Sequence, residues 1–134
     1  MATSKITYTG ELRTTAVHLK SGKEIITDAP TDNQGKGDAC SPTYLLATSL
    51  GNCMLTIVDI TARSHGFNID GTTAEVTKLM GENPRRVSEI HVHLQFPTSN
   101  YSEREKIIIE RAAKTCPVAY CLHPDIKQEI TFSY

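Results

Sequence analysis

Short β-like runs open the chain at Ile6 to Thr9, Leu12 to Leu19 and Glu24 to Thr27, with Gly10 and Ser21-Gly22 supplying turn residues between them. That pattern predicts a small antiparallel meander. From Asp28 to Asp38 the sequence is dense in Asp, Asn, Pro and Gly, residues that favour turns and exposed loop. Ser41-Pro42 then reads as a helix start: the serine oxygen can cap an orphan amide, and proline at the first helical position costs no hydrogen bond. Leu46, Leu50, Cys53, Ile57 and Ile60 recur at three- and four-residue steps, and Gly66 has the position of a C-terminal cap. The spacing predicts a long helix with Cys53 in its middle, on the apolar face.

Two further strands are predicted at Thr72 to Met80 and Val87 to Phe96, joined through Gly81-Glu82-Asn83-Pro84. In the second, Ile90, Val92, Leu94 and Phe96 alternate with polar residues, as in an antiparallel sheet with one face packed and one face wet. Ser102 followed by Glu105 forms a capping box for a second helix carrying Ile108, Ala112 and Cys116. Pro117 ends that helix and can occupy the first position of a short third one, Pro117 to Leu122, with Cys116 as its N-cap. A last strand is expected from Ile126 to Tyr134. The order strands, long helix, strands, helix, strand gives an α+β fold, and 134 residues are enough for one domain over residues 1–134 with its own core.

A net charge of −1 with no block of Lys or Arg argues against nucleic-acid and polybasic membrane partners. No apolar run approaches the roughly 20 residues that cross a bilayer, and Met1 to Lys5 lacks the apolar region of a secretory signal, so the cytoplasm is the expected location. In that reducing compartment the four cysteines, Cys40, Cys53, Cys116 and Cys121, point to catalysis or metal binding before permanent disulfides. Their spacing fits no common zinc motif. A thiolate at the helix N-cap position of Cys116 is favoured by the helix dipole; mid-helix Cys53 gains little from it and needs a cation. His91 and His93 share one side of a strand as two possible metal ligands, but no third ligand is placed, so a surface pair is the ordinary reading and no metal is expected. Gly35-Lys36-Gly37 lacks P-loop spacing, and Asp28 and Asp32 lack the calcium-loop pattern.

The stretch Ser41-Pro42-Thr43-Tyr44-Leu45-Leu46-Ala47-Thr48-Ser49-Leu50-Gly51-Asn52-Cys53 resembles the Pro-x-x-Leu-Leu segment leading to a cysteine in the OsmC/Ohr family of osmotically inducible and organic hydroperoxide resistance proteins. Thr115-Cys116-Pro117-Val118 resembles that family's second cysteine and following proline. The resemblance runs over nearly the whole chain. It implies an OsmC-like fold in intertwined homodimers with active sites at the subunit interface. It also implies a peroxidase in which Cys53 attacks the peroxide, Cys116 resolves the sulfenic acid as a disulfide, an arginine from the early strands, here Arg13, supports the thiolate, and an external dithiol restores the enzyme. Family and composition together give Tyr44, Leu46, Leu50 and Met54 as the lining of a substrate pocket suited to organic peroxides. Cys40 and Cys121 match no functional position of the family. The sequence departs from the organic hydroperoxide resistance branch at Thr43, where a glutamate that holds the arginine is replaced. A non-catalytic ligand- or metal-binding module and a thiol–disulfide regulator are the alternative functions.

Overall fold

Glu11 and Leu12 both adopt left-handed backbone angles (φ 54° and 63°) between paired residues Gly10 and Arg13. That is the two-residue hairpin geometry whose twist matches the flanking strands, and it joins β1 (Ser4–Gly10) to β2 (Arg13–His18). Strand β3 (Glu24–Asp28) pairs antiparallel with β2, completing a three-stranded sheet in the order β1-β2-β3. The computed structural model describes all 134 residues and divides into two compact units, Met1–Leu45 and Leu46–Tyr134.

In the first unit the loop after β3 carries a single 3-10 turn at Thr31–Asn33 and returns to the end of that strand, where the Asp28 N–H donates to the Cys40 carbonyl at 3.0 Å. Ser41 caps α1 (Pro42–Ser64) as its sequence predicts: its Oγ accepts from the Tyr44 N–H at 3.1 Å. Only Thr27, Asp28 and Ser41 are buried among residues 1–45, while Ile6, Tyr8, Ile25 and Ile26 are all exposed.

The second unit holds the core. Strands β4 (Thr73–Gly81) and β5 (Arg86–Gln95) form a hairpin, helices α2 (Glu103–Ala113) and α3 (Pro117–Cys121) follow, and β6 (Lys127–Ser133) completes a sheet in the order β4-β5-β6. Both capping-box bonds of α2 are present: Ser102 Oγ accepts from the Glu105 N–H at 3.1 Å, and Glu105 Oε1 accepts from the Ser102 N–H at 2.8 Å. The fold is α+β as predicted, but the last strand departs from expectation. β6 runs parallel to β5, not antiparallel, because two helices intervene and return the chain to the same end of the sheet.

Helix α1 is also turned relative to the sequence expectation. Its buried side chains are Ala47, Leu50, Met54, Val58 and Ala62, whereas Leu46 and Ile60 are exposed and Cys53 and Ile57 half-buried. The helix is apolar on two faces, so periodicity alone could not choose between them. At 23 residues it also has the length and composition to cross a bilayer, contrary to the reading of the sequence run by run. Here one apolar stripe is buried: it packs with Ile90, Val92 and Leu94 of β5 and Ile109, Ala112 and Ala113 of α2.

Candidate active site

Cys53 and Cys116 reach each other from different elements of the second unit. Cys53 lies near the middle of α1, partly buried and packed against the core cluster. Cys116 follows α2 in extended conformation (φ −71°, ψ 144°) and is the N-cap residue of α3, with Pro117 at the first helical position. Proline forbids continuation of α2 through Cys116 and starts the next turn, so the sequence pair Cys-Pro fixes where this sulfur sits. Cys116 is fully buried, and both cysteines are free thiols.

The electrostatics of Cys116 correct the sequence expectation. Burial pushes its thiol above the usual range; the Ala119 and Val118 N–H groups at the start of α3 pull it back, and the neighbouring Cys53 thiol pushes it up again. The helix N-terminus therefore acts in the predicted direction but loses to desolvation, since a five-residue helix offers only a few N–H groups against removal of the sulfur from water. Cys116 therefore rests as a neutral thiol beside Cys53.

Arg13 belongs to the first unit, and there its partner is unambiguous. Its Nε donates to Asp28 Oδ1 at 2.7 Å and its Nη2 to Asp28 Oδ2 at 2.8 Å, a bidentate pair across register-matched positions of β2 and β3. Asp28 is buried, and its Oδ2 also accepts from the Ala39 N–H at 2.9 Å. Chiefly through the Arg13 hydrogen bonds, the Asp28 carboxyl is held below its ordinary range, and Arg13 is raised further by the same contact. The arginine side chain is about one third exposed, so the fork is fixed at its Asp28 side while the guanidinium keeps access to solvent. Hairpin register was the signal available for this pairing: in β2 and β3 opposite positions run from Val17↔Glu24 to Arg13↔Asp28.

The four expected pocket residues divide. Leu50 and Met54 are wholly buried in the core, while Tyr44 and Leu46 are exposed on the first turns of α1. Cys40 and Cys121 are exposed. His91 and His93 do lie on one face of β5, but they do not act as a pair: His93 Nδ1 is 2.6 Å from Thr131 Oγ1, and His91 faces Glu89 and Glu129 instead.

The sequence matches the family model described as OsmC-like protein over residues 35–131. The chain belongs to the OsmC-like family. A Psychrobacter arcticus 273-4 protein named for osmotic stress induction and a detoxification response has a crystal structure that matches at 57% identity and a TM-score of 0.94, with 98% of this chain and 96% of that one covered. More distant structures share the fold. An organic hydroperoxide resistance protein from Elizabethkingia anophelis aligns at 20% identity and a TM-score of 0.75 over 99% of this chain and 96% of its own. The Legionella pneumophila organic hydroperoxide resistance protein OsmC aligns at 15% identity and 0.73 over 100% and 98%. Among curated proteins, none matches the sequence.

Proposed function

We propose that this OsmC-like protein is a thiol peroxidase that reduces organic hydroperoxides, with Cys53 as the attacking sulfur and Cys116 as the resolving one. The observation that carries the reading is the pair of free cysteines side by side in one unit, one partly accessible and one buried and neutral. In the first step the Cys53 thiolate attacks the terminal peroxide oxygen and the O–O bond breaks. The departing alkoxide takes a proton to become the alcohol, and Cys53 becomes a sulfenic acid. The Cys116 sulfur then attacks Cys53, the hydroxyl leaves as water with the Cys116 proton, and a disulfide remains. An external dithiol reduces that disulfide and is itself oxidised to one. Tyr44 and Leu46 are free to meet the organic group, whereas Leu50 and Met54 are committed to the core. Consumption of an organic hydroperoxide, dependent on dithiol and on Cys53, tests this; disulfide exchange without peroxide turnover would favour the regulator.

In this reading Arg13 stabilises the Cys53 thiolate and the charge developing on oxygen, and Asp28 supplies the carboxylate that Thr43 lacks. Asp28→Asn keeps the shape but removes the charge and one arm of the fork. The expected result is a fall in kcat/KM of roughly ten- to a hundredfold, because a loosened arginine is misplaced at the reacting atoms. Unchanged kinetics would remove Asp28 from the mechanism. The pH dependence has a definite sign: the folded carboxyl titrates below its ordinary value near 3.8, so the stability it contributes is present above that value and is lost as pH falls through the lower folded one. Across the neutral range the pair stays ionised.

A homodimer is part of the same proposal. Ile6, Tyr8, Ile25 and Ile26 in the first sheet are between 43% and 64% exposed, and a three-stranded sheet without a packed apolar face is poorly stabilised alone. A second copy covering these residues supplies the missing burial. Sedimentation at micromolar concentration is expected to give about twice the chain mass; a stable monomer would contradict it.

A further inference from the structure

On the wet face of the second sheet, away from the residues of the proposed peroxidase chemistry, three side chains aim their donor atoms at one point. His91 and Glu89 stand two positions apart on β5 and so share a face, and Glu129 is the register partner of His91 on the adjacent strand β6. His91 Nε2 lies 2.8 Å from Glu89 Oε2 and 3.2 Å from Glu129 Oε2, and one ligand atom from each residue falls within 4.8 Å of the others.

We infer that Glu89, His91 and Glu129 form a binding site for a divalent transition-metal ion of the zinc class. The donor set is one imidazole and two carboxylates, the nitrogen-and-oxygen chemistry such ions accept. The spacing around His91 agrees with coordination: metal–donor distances of about 2.0–2.2 Å place neighbouring donors of one ion roughly 3 Å apart, and the separations of 2.8 and 3.2 Å from its Nε2 bracket that value. Two hydrogen-bonded strands already hold one donor atom from each residue within 4.8 Å of the others. Charge points the same way. Two carboxylates converge on one ring nitrogen, with Lys127 opposite Glu89 as the nearby cation in register, and a dication would neutralise them both. The side chains are between 31% and 49% exposed, so an ion would enter from solvent and keep water on its open positions. This is a three-ligand site of moderate affinity, and it owes nothing to the cysteines.

The test must separate this site from zinc capture by thiols. The full-length reduced protein, labelled with 15N, is titrated with zinc chloride while the imidazole ring signals are followed. The His91 ring nitrogens are expected to shift and saturate at one ion per chain, with the rings of His18, His65 and His123 unmoved. In Glu129→Gln and Glu89→Gln, surface substitutions that keep side-chain shape, the same titration is expected to need at least tenfold more zinc. If His91 does not respond while zinc is taken up, the ion sits on the cysteines and the inference fails. It fails equally if both variants titrate like the parent protein.

Discussion

Cys53→Ser is expected to remove dithiol-dependent hydroperoxide consumption, lowering the rate by on the order of 10^3-fold or more, because serine offers no thiolate and nothing else in the pair can take its place. Cys116 is fully buried and raised above the usual thiol range by that burial, so it is a poor nucleophile toward an incoming peroxide. Cys116→Ser has a different signature. The first turnover proceeds, since Cys53 is intact, and the protein then stalls as a sulfenic acid that an added thiol can still reduce. Stopped-flow measurement of the first turnover beside the steady state distinguishes the two variants. Equal loss of the first turnover in both would contradict the division of roles; full activity of Cys53→Ser would remove the peroxidase reading altogether.

Gly51→Val is expected to destabilise the protein by about 1–3 kcal/mol, the usual cost of overpacking a core. A Cβ at position 51 would lie 2.8 Å from Val76 Cγ2 on β4 and 3.7 Å from Ala74 Cβ. Valine is stiff and cannot swing that methyl away cheaply, so helix or strand must shift. Replacing a helical glycine normally gains up to about 1 kcal/mol of helix propensity, and here the contact outweighs that gain. Thermal unfolding is expected to fall by several degrees. Gly51 is two residues before Cys53, so pushing α1 off the sheet also moves that sulfur relative to Cys116. Disulfide formation should slow in the same variant. An unchanged melting temperature would show that α1 and β4 can separate at little cost and would contradict the overpacking.

Local signals were legible in the sequence because each is a short-range effect with its own residue. Ser41-Pro42 opens α1, Ser102 and Glu105 cap α2, and Cys116-Pro117 opens α3, all as the residues predict. Long-range pairing was not legible. The alternation in β5 shows a wet face but cannot show that β6 lies parallel beside it, and only that pairing brings Glu129 to His91 across 38 positions. The facing of α1 was hidden for another reason: both the stripe through Leu50 and Met54 and the one through Leu46 and Ile60 are apolar, and packing within one chain buries the first. The Cys116 environment required knowing how little water reaches the sulfur, a quantity that a helix start does not carry. Asp28 stands between these cases, since the loop composition around it reads as exposed while hairpin register places it opposite Arg13.

The central claim is that Cys53 and Cys116 form one redox pair. The most direct measurement treats the reduced protein with one equivalent of an organic hydroperoxide, maps cysteine oxidation by mass spectrometry, and repeats this with Cys53→Ser and Cys116→Ser. The account predicts a Cys53–Cys116 disulfide in the parent protein, a trapped Cys53 sulfenic acid in Cys116→Ser, and no oxidation in Cys53→Ser. A Cys53 that stays reduced while peroxide disappears, or a disulfide that joins Cys53 to Cys40 or Cys121, would contradict it.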